Sequence, residues 1–348
     1  MSSSQVVGGR LRAYLEFVTA VVFYFLARSV AHSGAGGLAN DAWSPLLEQA
    51  MLVFLLVLGY AAFGMLFDRQ KHPVSEQGLP LREDWTREAG VGLAVGWSAA
   101  VACVLVLTMA GGIAIVLSVQ LSTWGWFLVD TAFFALAAMV EEVAFRGYAF
   151  QRFVRSVGSI GAALGFAAFY AIVQALQPGA NHASIAVSII FSLVLTTAYL
   201  RTRALWLSWG LNFGWKASRA LIFGLTVSGT SSHSSVVEGD PMGSFWITGG
   251  GYGLDGSWVA FIVLLVAWPV VYRVTRDLDF RYNVPLIVPG GIPVDLDAAA
   301  RRQHEAAMGP AEPASPALVQ IAPVPSPSSS GAGASDEERG DSQSGQAS

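Results

Sequence analysis

Apolar residues gather along this chain in blocks separated by short polar stretches. The blocks run roughly over 11–31, 46–67, 89–118, 124–147, 158–176, 183–200, 204–227 and 257–273. A helix needs about 20 mostly apolar residues to cross the hydrocarbon core of a bilayer. The pattern therefore predicts an all-α, polytopic membrane protein with about eight transmembrane helices. The third block is longer than a crossing needs and is expected to tilt or to run past the bilayer. Between the fourth and fifth blocks, Tyr148 to Val157 is amphipathic and basic, which predicts a short helix along the interface. Beyond Tyr282 the composition turns to Pro, Ala, Ser, Gly and acidic residues. The stretch from Pro289 to Ser348 cannot bury a core, so a disordered C-terminal tail is expected there.

Loop charges give the orientation. Arg10 and Arg12 precede the first block, and the loop Ser33 to Pro45 has no Lys or Arg. Arg69, Lys71, Arg82 and Arg87 fill the next loop, and the turn near Ser122 has none. The alternation continues through Arg152 and Arg155, then Gln177 to His182 without a cation, then Arg201 and Arg203. Ser228 to Gly256 again has no Lys or Arg, and Arg273, Arg276 and Arg281 close the series. Basic loops face the cytoplasm, so both termini are expected to be cytoplasmic. Arg28 and Arg219 lie in the outer halves of their blocks and break the rule locally. Ser29-Val30-Ala31 loosely resembles a signal-peptidase site, but the run before it is long for a signal peptide and holds Glu16. A retained first helix is expected, and the protein is expected to be integral to the membrane, the bacterial inner membrane in particular.

Composition agrees: 53% of the 348 residues are hydrophobic and 13% are charged, against about 25% charged in soluble domains. The formal net charge of −4 says little about partners beyond membrane lipid, and no nucleic-acid partner is expected. Cys103 is the only cysteine, which excludes an intrachain disulfide and a cysteine-based zinc site. The five histidines form no HExxH pair. The glycine run 249–253 is followed by no Gly-Lys-Ser/Thr, so it is no phosphate loop. Asp255, before Gly256 and Ser257, is expected to cap the last helix.

The candidate chemistry lies inside the spans. Glu141, Glu142 and Arg146 interrupt the fourth block, and buried charge in a membrane marks function or a partner. Glu142 and Arg146 are four apart and share a helical face, so they are expected to pair. Glu141 is rotated by about 100° and points elsewhere. In the seventh block, Asn212 and Lys216 share a face. Lys216 lies too deep to reach the interface easily and needs a counter-ion, for which Glu141 is the candidate. Arg219, nearer the outer end, is expected to snorkel. Gln174, four residues after Tyr170, is a polar side chain in the fifth block, and His182 falls in the exposed turn beyond it. In straight helices Gln174 would sit deeper from the cytoplasmic side than Glu141 and Asn212.

Glu141-Glu142-Val-Ala-Phe-Arg146-Gly147 resembles the Glu-Glu-x-x-x-Arg-Gly motif of the CPBP family, the CAAX-type prenyl endopeptidases and bacteriocin-processing proteins. The resemblance extends from about Gln77 to Tyr272, through Gln77-Gly78-Leu79-Pro80, Arg201-Thr202 with Leu205-Trp206-Leu207, Phe223-Gly224-Leu225, and Thr248-Gly249-Gly250-Gly251-Tyr252-Gly253. It implies an eight-helix intramembrane metalloprotease fold, and with the hydropathy and composition it divides the chain into N-terminal membrane helices over 1–75, a CPBP-like core over 76–282 and a disordered cytoplasmic tail over 283–348. It also implies zinc held by motif histidines. Here Gln174 stands at the histidine of the second motif, and Asn212 and Lys216 stand at the His and Asn/Asp of the third. One glutamate, two amides and an ammonium make a poor zinc site, so no cofactor is expected. Lys216 is expected to supply the positive charge in the metal's place by pairing with Glu141.

Three functions remain open at this stage, with Glu141, Glu142, Arg146, Gln174, Asn212 and Lys216 as the candidate site residues. The first is a protease-derived scaffold that binds a membrane-embedded or lipidated peptide. The second is a glutamate-dependent intramembrane endopeptidase, using amides for the oxyanion or a divergent metal site with His182. The third is a proton-coupled carrier using the buried ionisable residues.

Overall fold

The computed structural model describes residues 3–117, 121–228 and 237–276, together with 286–287 and 293–294. Each of the eight apolar blocks is helical over most of its length. Helices α1 (Ser3–Leu38) and α2 (Ser44–Asp68) form the first hairpin, followed by the single turn α3 (Pro73–Glu76) and by α4 (Trp85–Met109). Then come α5 (Leu121–Arg146), α6 (Tyr148–Val157), α7 (Ser159–Ala175), α8 (His182–Thr202) and α9 (Trp206–Ala217). A π-helical turn, Ser218–Ile222, extends α9. The short α10 (Phe245–Thr248) leads through two 3-10 turns to α11 (Trp258–Val274). By length and composition, α1, α2, α4 and α8 are long and apolar enough to cross a membrane, and α7 and α11 are shorter apolar helices. The blocks containing α5 and α9 carry the buried charges that make up the site. The chain is an all-α integral membrane protein.

The third block departs from expectation. Its helix stops at Met109, and Gly111 takes a left-handed conformation with φ of 67°. The residues after this break form a strand, β1 (Ile113–Leu117), paired antiparallel with β2 (Val237–Pro241) so that Ile113 faces Pro241 and Leu117 faces Val237. The apolar run continued through this point, but two adjacent glycines (Gly111, Gly112) released the backbone from the helix.

Residues 1–284 form one compact unit and residues 285–348 a second. In the second unit, β3 (Leu286–Ile287) pairs with β4 (Pro293–Val294); the rest of the expected tail lies outside the described residues. The first unit has two main cores. One joins α4, α8, α9 and α11 around residues such as Leu107, Leu195 and Trp215. The other joins α1, α2, α5, α6 and α7 around Leu56, Tyr60, Phe150 and Phe166.

Two features position the site. First, α4 and α9 touch backbone to backbone. A Cβ added to Gly96 would lie 2.2 Å from the Leu211 carbonyl oxygen, and one added to Gly210 would lie 2.1 Å from that of Ala89. Gly92 and Gly214 are similarly confined, so two small-xxx-small pairs, Gly92/Gly96 and Gly210/Gly214, clamp α9 at a fixed height. Second, α6 does not merely lie on the surface. Its Arg152 is fully buried and bonds Asp68 of α2 (2.5 Å) and Glu16 of α1 (3.4 Å), while Arg155 on the same helix reaches outward to Asp68 at 3.2 Å. The amphipathic segment is thus a clasp that ties the first hairpin to the C-terminal end of α5.

Candidate functional site

The site forms where α5 meets α9. Glu142 is fully buried, and its Oε1 accepts from Arg146 Nη1 at 3.0 Å, the i,i+4 pair expected from spacing. Arg146 also donates to the Ser192 carbonyl of α8 at 3.3 Å. This interhelical contact holds the guanidinium in place beneath the carboxylate. Glu141 lies on a different face, as the helical rotation requires, and its Oε1 accepts from Lys216 Nζ.

Asn212 joins the two carboxylates. Its Nδ2 donates to Glu141 Oε2 and to Glu142 Oε1, both at 3.0 Å. The orientation follows from chemistry, because the amide oxygen is an acceptor and would be repelled by either carboxylate. The side chains of Lys216, Glu141, Asn212, Glu142 and Arg146 therefore form one chain of charge-assisted hydrogen bonds across two helices. Two cations balance two anions in it. Asn212 and Lys216 reach this row because Gly210 and Gly214, on the same helix, lock its height against α4.

Gln174 does not enter the row. Its Nε2 donates to Ser228 Oγ at 2.9 Å, and Ser228 donates onward to Asp255 Oδ2 at 3.3 Å. It nevertheless meets the site, because Gln174, Glu141 and Lys216 line one cavity of about 310 Å³ with Tyr170, Ser228 and Arg28. Gln174 and Glu141 thus face one cavity without bonding one another. Glu142, Arg146 and Asn212 stand behind its wall.

Two expectations at the outer end are corrected. Arg219 does not snorkel. It is fully buried, bonds Asp255 Oδ1 through Nη1 at 2.6 Å and the Trp215 carbonyl through Nε at 2.9 Å, and lies over the Trp215 ring. Asp255 is consequently an ion-pair partner rather than a helix cap, and Ser257 caps α11 by accepting from the Val259 amide at 3.0 Å. A buried guanidinium needs a carboxylate more than an exposed helix end does. His182 is exposed at the first residue of α8 and is not among the described residues that line the cavity. Asp130 of α5 is a buried acid that reading the sequence missed; its place in an apolar block was the available signal.

The donor set does not fit zinc. Zinc takes thiolate, imidazole or carboxylate ligands, and around Glu141 the neighbours are an ammonium and an amide nitrogen, both donors. Among the described residues no three His, Cys, Asp or Glu side chains gather in a metal-holding group.

Residues 122–218 match the family model of Rce1-like, type II CAAX prenyl endopeptidases. No curated protein matches the chain, and neither does any solved structure. The matched segment holds every residue of the row from Glu141 to Lys216, and Gln174 as well, in the order of the three motifs. Over that segment the chain is similar to the type II CAAX prenyl endopeptidases, membrane proteins of the CPBP kind.

Proposed function

We propose that this protein is a protease-derived scaffold that holds a membrane-embedded or lipidated peptide in the cavity beside Glu141, without metal-dependent hydrolysis. One observation carries the reading: both oxygens of Glu141 are engaged, Oε1 by Lys216 and Oε2 by Asn212. A general base needs a carboxylate oxygen aimed at the water it activates. Here a lysine and an asparagine take up those positions, and they tie α5 to α9. The cavity wall keeps features suited to a ligand, with aromatic faces from Phe133, Phe145, Phe169 and Tyr170 around a small number of polar groups.

The test uses the full chain in bilayer nanodiscs with lipidated and unlipidated peptides. Binding is read by fluorescence and cleavage by mass spectrometry, each with added zinc and with chelator. The expected result is binding that neither zinc nor chelator changes, and no cleavage product. Cleavage that stops on chelation, or that a folded Glu141→Gln variant loses, would overturn the proposal.

A further inference from the structure

The cavity beside Glu141 borders further space that the peptide reading does not use. Behind Phe25, Phe145 and Phe169, which the two spaces share, lies a neck of about 30 Å³ between Tyr24, Tyr60 and Phe166. The neck in turn shares Val21, Phe166 and Phe169 with a groove of about 220 Å³ between α1 and α7. That groove is lined by apolar residues, and Val22 and Phe169 on its rim are exposed. A polar cavity, a small aromatic space and an apolar groove thus lie side by side along α1, each bordering the next through shared side chains.

The charges are unequal along this path. Among the described residues lining the cavity, Arg28 and Lys216 are cationic and Glu141 alone is acidic. Lys216 is matched by Glu141, so the lining keeps one positive charge, on Arg28, at the head of an otherwise apolar lane. Arg28 is exposed at the mouth of the cavity, and an anionic group there would gain a charge-assisted hydrogen bond. The neck is small, about 30 Å³, and its walls are aromatic, so an unbranched chain would displace fewer side chains there than one with methyl branches or peptide side chains. From Arg28 to Phe17 the lane follows α1 for about 16 Å at ~1.5 Å per residue. That is close to half of the ~30 Å hydrocarbon core, the length of one leaflet's acyl chain.

We infer that this path binds an unbranched fatty acid drawn from the bilayer, its carboxylate at Arg28 and its chain threaded through the neck into the groove between α1 and α7. The ligand is a lipid, so the inference goes beyond the peptide reading and stands or falls separately from it. Arg28 selects the head, and the aromatic neck selects a linear tail. A lipidated peptide would compete for the cavity but not for the neck.

The test is saturable binding of palmitate to the full chain in nanodiscs, with methyl palmitate and farnesoic acid as competitors. Palmitate is expected to bind at one site; methyl palmitate should be at least about tenfold weaker, the loss of one charged hydrogen bond, and farnesoic acid, which keeps its carboxylate but has a methyl-branched chain, should also compete more weakly than palmitate. Arg28→Gln should weaken palmitate about tenfold, and Arg28→Lys should restore most of it. Val22→Trp fills the groove from its exposed rim, where folding is not at stake, and should abolish binding. Equal competition by methyl palmitate or farnesoic acid, or palmitate binding unchanged in Val22→Trp, would refute the inference. Peptide binding measured on the same samples reports the scaffold reading independently.

Discussion

Removing either partner of the Lys216–Glu141 pair strands a charge between α5 and α9, and the cost can be worked from the structure. Opposite charges about 4 Å apart attract by about 4 kcal/mol at an effective dielectric near 20. The two side chains are 11% and 27% exposed, so water in the cavity screens part of that. Hydrogen-bonded pairs in a membrane protein measure about 0.6 kcal/mol on average and at most about 1.7. A pair that is both charged and mostly buried belongs above that range, at about 2 kcal/mol. We therefore expect Lys216→Met and Glu141→Gln each to destabilise the protein by about 2 kcal/mol, because each leaves one charge unmatched. The double variant should cost about 2 kcal/mol as well, since no charge is then stranded and the amide oxygen introduced by Glu141→Gln still accepts from Asn212. The assay is reversible unfolding in mixed micelles, followed by tryptophan fluorescence, as a double-mutant cycle. The coupling should be about 2 kcal/mol. Additivity within about 0.5 kcal/mol would refute the claim that this pair holds the two helices together.

Two further outcomes follow from the packing. Gly96→Leu should destabilise the fold by about 3 kcal/mol or more, because even its Cβ would meet the Leu211 carbonyl at 2.2 Å; an unfolding midpoint equal to wild type would show that α4 and α9 are not clamped there. Asp255→Asn should cost about 3–5 kcal/mol by leaving Arg219 buried without a counter-ion, whereas Ser257→Ala should cost about 1 kcal/mol as a lost cap. The reverse order in thermal unfolding would restore Asp255 to a capping role.

Much of this protein is written in local pattern. The eight apolar blocks marked eight helical regions because apolar length against bilayer thickness is a one-dimensional test. The Glu142–Arg146 pair was equally legible, since helical spacing alone puts residues four apart on one face. The segment Tyr148–Val157 was found as a helix for the same reason. The Lys216–Glu141 contact was reached by a different argument, that a deep ammonium must find an acid, and few acids lie at that depth.

What failed was whatever depended on partners far along the chain. Ile113–Leu117 read as more helix, because its apolar residues suit a buried helix or a strand equally. Only pairing with Val237–Pro241, more than a hundred residues on, fixed it as a strand. Gly111 and Gly112 were the visible break. Arg219 and Asp255 were each given a local fate, snorkelling and capping, and the folded chain gave them to one another. Gly92/Gly96 and Gly210/Gly214 carried the small-xxx-small signal for the close approach of α4 to α9, but neither pair names its partner.

The sequence alone determined that the chain inserts in a membrane, which segments become helices, and that a cluster of charges must be satisfied within them. These follow from transfer free energy and helical periodicity, both properties of short stretches. The tertiary structure alone decided that Asn212 bridges both glutamates and that Gln174 belongs to Ser228 and to the cavity rather than to the carboxylate row. Those features depend on the relative height and rotation of separate helices, which steric contact between their backbones sets and no single segment encodes.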